Sequence, residues 1–410
     1  MPAPIPTLIP TPTPHLATQI VAGTLARTIA NTARRFIYPF APALSRGLGV
    51  PVAAITGVLA AYQFTGVISP LFGPMIDRMG YRFAMLLGLG VMGASLIAVG
   101  LFPVYVVLVV ALIISAIGRN IFDPALQAYA GQHVPYAYRG RIVGLIELSW
   151  SASALIGIPL VGVLMQGYGW QSPFLVLGGL ILGAMLVLGG LIPRQTRPAP
   201  AKQSMVREVI AGWRALLATP RTAGMLLFAL TISGANDLVL VVYGVWMENI
   251  FAVGLAALGS TIIVIGVAEL AGEGLTVWLS DRIGLERSIV GGMILTAGAS
   301  VLLPFLAFRL EAALVGIFLL FIIFEFTMVA TISLFTEILP EARATMMSGY
   351  KAASGTGRMA GALLGVPLYT LGGMMAVGIT SGIVTLLGLL CLRWALGKWH
   401  SNSPHHATKG

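Results

Sequence analysis

Apolar runs of about twenty residues recur from end to end of this chain, each long enough to cross about 30 Å of hydrocarbon as an α-helix. Inside lipid the backbone must satisfy its own hydrogen bonds, and runs of this length do so as helices. Twelve are expected, near 17–43, 51–72, 83–102, 104–130, 142–166, 172–192, 222–247, 255–279, 288–308, 312–337, 345–370 and 373–396. Composition agrees. Hydrophobic residues make up 57% of the 410 and charged residues only 9%, where a soluble domain carries about 25% charge. The expected class is an all-α polytopic membrane protein.

The residues between the runs set its organisation. Residues 1–16 are Pro-rich and lack a basic segment before an apolar core, which argues against a cleaved signal peptide and for an extended cytoplasmic N-terminus. Residues 193–221 form the widest interruption. They begin as a Pro-rich linker, then place Met205, Val206, Val209, Trp213 and Leu217 on one helical face, as a helix lying along the membrane surface would. Residues 397–410 form a polar tail. With the N-terminus inside, sixteen Lys and Arg are cytoplasmic, whereas Arg46 and Arg309 lie outside. That bias accounts for the net charge of +10 through topology, without a nucleic-acid partner. Both termini are expected in the cytoplasm and the chain in the inner or plasma membrane.

A repeat divides the chain in two. "GPMIDRMGYR" (73–82) precedes span 3, and "WLSDRIGLER" (278–287) repeats its Asp-Arg-x-Gly before span 9, with Asp77 and Asp281 separated by 204 residues. Arg139 and Arg343 share that offset, and the Ala-Asn pairs at 30–31 and 235–236 lie at 205. Two six-span halves, 17–192 and 222–396, joined by the linker, follow from this repeat. The first motif resembles the loop 2–3 signature of the major facilitator superfamily, Gly-x-x-x-Asp-Arg-x-Gly-Arg-Lys/Arg. The second resembles its degenerate copy in loop 8–9. Tyr81 stands at a usually basic position, and Val277 where the second copy would carry its first glycine. The resemblance covers about 16–398 and implies two pseudo-symmetric six-helix halves working by alternating access. It also implies a gate of Gly73, Asp77, Arg78, Arg82, Asp123, Asp281 and Arg282. In that gate Asp77 sits against the start of span 11 and Arg82 pairs with a carboxylate such as Asp123. Marking topology alone is the other reading of Asp77 and Arg78.

Charges inside spans are costly and are therefore functional candidates. Six are basic (Arg27, Arg34, Arg35, Arg119, Lys351, Arg358) and six acidic (Asp123, Glu147, Asp237, Glu269, Glu273, Glu325). Arg27, Asn31, Arg34 and Tyr38 share about 60° of one helix face, which must line a cavity or pack inside its half. Asn236 and Asp237 lie opposite in span 7. Three roles stay open for these groups. They can bind an anionic solute through guanidinium forks, load protons at Glu147, Asp237, Glu269 or Glu325, or pair structurally. A specific alternative for Arg34 is neutralising Asp237 across the cavity.

Other signals are weaker. "GLGVMG" (88–93) lies within span 3 and reads as tight packing, since a dinucleotide site needs a preceding strand. "SALIGIPLVG" (153–162) is similar to the span 5 signature of drug/proton antiporters, but Ile158 separates its Gly from its Pro. Cys391 is the only cysteine, and no Walker A motif occurs. No enzyme activity, cofactor or metal is expected. The reading is a monomeric secondary transporter of a small solute, with anions favoured and proton as the coupling ion. An efflux antiporter with a non-anionic substrate, an integral membrane enzyme and a lipid-handling protein are the alternatives.

Overall fold

The structure, a computed structural model, describes residues 14–134, 136–193, 214, 216–217, 219–339 and 343–397. Most of the 193–221 linker, with the amphipathic helix expected there, lies outside the described residues, as do 1–13 and 398–410. Within them every expected apolar run is helical. Span 1 comprises Pro14–Arg35 and Ile37–Leu48, so the helix starts within the stretch expected to be extended. Span 2 is Val52–Phe64 continued by the 3₁₀ turn Thr65–Leu71. Spans 3 and 4 are Tyr81–Leu101 and Tyr105–His133. Span 5 runs through Tyr136–Ala152, Ser153–Gly157 and Ile158–Tyr168, and span 6 is Ser172–Leu191. Spans 7 to 10 are Pro220–Phe251, Leu255–Ile283, Leu285–Leu302 with Leu303–Leu306, and Leu310–Ile338. Spans 11 and 12 share Arg343–Leu396, divided where Gly372 and Gly373 leave the helical region.

The two copies of Asp-Arg-x-Gly end their helices in the same way. Gly80 has φ 81° and Gly284 has φ 91°, a region that side-chain-bearing residues rarely enter. Each glycine turns the chain sharply, so that spans 3 and 9 begin one residue later. The repeated motif is thus a repeated backbone shape. Span 5 departs from a regular helix at Ser153–Gly157, which form a π turn closed by Ile158 N–H donating to Ser153 O. Pro159 follows at once. It has no N–H, and its ring would crowd the carbonyl four residues back in a regular helix, so the wider turn absorbs it.

Each half is a six-helix bundle, and among the described residues the halves meet mainly where span 1 packs on 7, 2 on 11 and 5 on 8. Spans 5 and 8 cross where Gly162 faces Gly259, and a Cβ on Gly162 would lie 2.7 Å from Leu255 O. Absent side chains let these backbones touch. This contact and the join of spans 1 and 7 lie toward the end that carries loops 1–2 and 7–8. There Arg46 donates to both carboxylate oxygens of Glu248, at 2.7 and 3.2 Å. Toward the other end, the side chain of Glu147 in span 5 is 45% exposed and Lys351 in span 11 is exposed. Charges at that depth require water rather than lipid, so a cleft opens between the halves at the loop 2–3 end.

Candidate functional site

Span 1 supplies the centre of the site, and its charged stripe divides by depth. Arg27 packs inside its own half, where it pairs with Asp123 at 3.5 Å and Glu147 at 3.1 Å and donates to Ile146 O at 2.8 Å. One turn on, Asn31 donates to Ser149 Oγ at 3.1 Å and accepts from Arg119, which is itself paired with Asp123 at 3.1 Å. Spans 1, 4 and 5 are thus tied by one network in which two arginines share two carboxylates. Neither guanidinium is left uncompensated.

Arg35 points to the other half. It grips the carboxylate of Glu269 in span 8 through two bonds, at 2.7 and 3.1 Å, and both side chains are buried. Trp150 braces the pair. Its indole N–H donates to Glu269 at 3.0 Å, its carbonyl accepts from Arg35 at 2.9 Å, and its ring lies 4.2 Å beneath the guanidinium. The same carbonyl also accepts from the hydroxyl of Ser153, the first residue of the π turn, at 2.6 Å.

Arg34 behaves differently. Its guanidinium donates to Gln63 Oε1 at 3.1 Å and lies 5.9 and 5.4 Å from the ring centres of Tyr62 and Trp150. None of the described ion pairs includes it. Arg34 is only partly buried, so its charge faces the cleft. Gln63 passes the contact on: its Nε2 donates to Tyr38 Oη at 2.6 Å, and Tyr38 donates to Asp237 Oδ2 at 3.0 Å. Arg358 in span 11 lies 3.9 Å from the other oxygen of Asp237. Asn236, beside it, is partly exposed. The Cβ of Glu325 in span 10 lies against Gly272 of span 8, which stands between Glu269 and Glu273 in the sequence. Neither Glu273 nor Glu325 belongs to a described ion pair.

One alternative and one expected pairing are corrected. Arg34 does not neutralise Asp237, because Tyr38 and Arg358 occupy that carboxylate and Gln63 stands between. Arg82 does not reach Asp123; it donates to Gly189 O at 2.7 Å, tying loop 2–3 to the end of span 6, while Asp123 is taken by Arg27 and Arg119. Gly73 and Asp77 lie in the helix Phe72–Met79, but their side chains, and that of Asp281, are outside the described residues. Arg78 is exposed, and Arg282 stacks on Trp278 at 4.5 Å. Gln63, Trp150 and Ser149 were not among the expected site residues. A lone glutamine in an otherwise apolar span 2 is the signal that would have found the first of them.

Comparison with known proteins agrees with this geometry. The family profile described as Major Facilitator Superfamily matches residues 23–272 and 225–409. An uncharacterized MFS-type transporter of Bacillus subtilis (strain 168), YwfA, is 23% identical over 94% of this chain and 92% of its own length. The vesicular acetylcholine transporter of Rattus norvegicus is 31% identical over 44% of this chain and 34% of its own. Among solved structures, a bacterial homolog of the human lysosomal transporter Spinster, in an inward-facing and unoccupied conformation, superposes with a TM-score of 0.71. It shares 13% identity and covers 93% of this chain and 96% of that one.

Proposed function

The chain belongs to the major facilitator superfamily and is a membrane transporter rather than an enzyme; we propose that it carries a small anionic solute by alternating access, coupled to protons. The observation that carries this reading is Arg34, a cation facing the cleft that is held only by neutral groups. A guanidinium without a carboxylate partner offers a bidentate match to carboxylate or phosphate. Glu273 and Glu325, without cationic partners among the described ion pairs, are the groups we assign to proton loading. Glu147, Asp237 and Glu269 are occupied by Arg27, Arg358 and Arg35, which favours a structural or gating role for them. The basic bias of the loops supports a cytoplasmic location for both termini and for the open end of the cleft, in the plasma membrane. The resemblance to an acetylcholine transporter favours a second reading, exchange of an organic cation for protons at the same cleft.

Transport into proteoliposomes under an imposed pH gradient, read by a trapped pH-sensitive dye, separates the two. A panel of small carboxylates, inorganic phosphate and organic amines is used. Proton-linked flux is expected with acids. Arg34→Ala should weaken binding of the transported acid about thirtyfold, equivalent to about 2 kcal/mol for a charged hydrogen bond in a water-poor site. Arg34→Lys should recover part of that, since an ammonium lacks the fork. Flux with amines alone overturns the anionic reading.

A further inference from the structure

Donor and acceptor bookkeeping around Gln63 has only one solution. Arginine can only donate, so the oxygen of the Gln63 amide must face Arg34. The amide nitrogen then faces Tyr38 Oη and donates to it, which leaves the Tyr38 hydroxyl hydrogen for Asp237. Both ends of the amide are used, and Gln63 is 6% exposed, so its orientation is locked. The two other groups that hold Arg34 are the faces of Tyr62 and Trp150, which attract a cation without carrying charge. The other arginines within spans follow the opposite rule: Arg27, Arg35, Arg119 and Arg358 each have a carboxylate.

We propose that Gln63 determines the charge selectivity of the Arg34 site: its neutral amide positions the guanidinium, and Tyr38 stands between that amide and the carboxylate of Asp237. The inference rests on the reading of Arg34 as the anion ligand. A carboxylate at position 63 would complete an ion pair at the same 3.1 Å separation and leave Arg34 no charge to offer a solute. The residue acts through Arg34 and is a positioning residue.

The test compares acids with their uncharged amides: acetate with acetamide, benzoate with benzamide, succinate with succinamide, each titrated against purified full-length protein by ligand-dependent thermal shift. The wild type is expected to prefer at least one acid over its amide. Gln63→Glu should reduce that preference by at least about tenfold, the scale of one charge-assisted hydrogen bond. Gln63→Leu, which removes the acceptor without adding charge, should weaken acid binding yet keep the preference. A residue that only shaped the cleft would alter acids and amides alike in both variants. An undiminished preference in Gln63→Glu overturns the inference while leaving the anion reading intact. Should Gln63→Glu fail to fold, loss of the preference in Gln63→Leu overturns it instead. No acid preference in the wild type across all three pairs refutes the anion reading itself, and with it the inference.

Discussion

The contact between Arg35 and Glu269 gives a sharp quantitative expectation. Glu269→Gln keeps the size of the side chain and removes its charge, leaving Arg35 buried without a counter-ion. Removing one partner of a buried pair costs about 3–5 kcal/mol. Here the lower end applies, because Arg35 keeps the Trp150 carbonyl at 2.9 Å and the Trp150 ring at 4.2 Å. A loss of about 3 kcal/mol would lower the unfolding midpoint of the purified protein by about 3–4 °C, measured by intrinsic tryptophan fluorescence in detergent. Arg35→Met added to Glu269→Gln removes the stranded charge and leaves the new amide to accept from Trp150 Nε1. The double variant should regain at least half of the loss. An unchanged midpoint for Glu269→Gln, or a double variant less stable than the single one, would refute the view that this pair acts as a mutually dependent bond between halves.

Two further outcomes follow from the contacts between halves and from the loops. In Gly244→Ala the new methyl would lie 2.7 Å from the Pro39 carbonyl carbon, so spans 1 and 7 cannot close and the loop 1–2 end should open. A cysteine replacing buried Ala43, in a Cys391→Ala background, should then react with an impermeant thiol reagent applied from that side; continued protection counts against the closure described. Cysteines placed in loops 2–3, 6–7 and 10–11 of the same background should be shielded in intact cells, and labelling of the 193–221 linker from outside would reverse the assigned orientation.

The spans were legible in the sequence because each must supply about twenty apolar residues whatever its neighbours are. The glycines of Asp-Arg-x-Gly were legible as a repeat, since their conformation is local. The pairing of charges was not. Arg27 and Arg34 share a stripe and a spacing, yet Arg27 meets Asp123 and Glu147 within its half while Arg34 meets an amide. Which carboxylate an arginine reaches depends on how far each helix is rotated and which helices are adjacent, and neither is written in a single segment. Arg82 illustrates the same limit, since its partner is the backbone carbonyl of Gly189, which no side-chain pattern announces.

The π turn of span 5 holds one residue more than the helix needs. Deleting a single residue within Ser153–Gly157 would press regular helical spacing onto the ring of Pro159, and the span would have to kink there. Gly162, beyond that kink, would lose its close approach to Gly259. Trp150, before it, could then hold Arg35 and Glu269 only by giving up that seam. The surplus residue therefore keeps two contacts between the halves in step, the glycine seam beyond it and the seat of their buried ion pair before it. A length change tolerated in any loop would be felt here at both ends of the span.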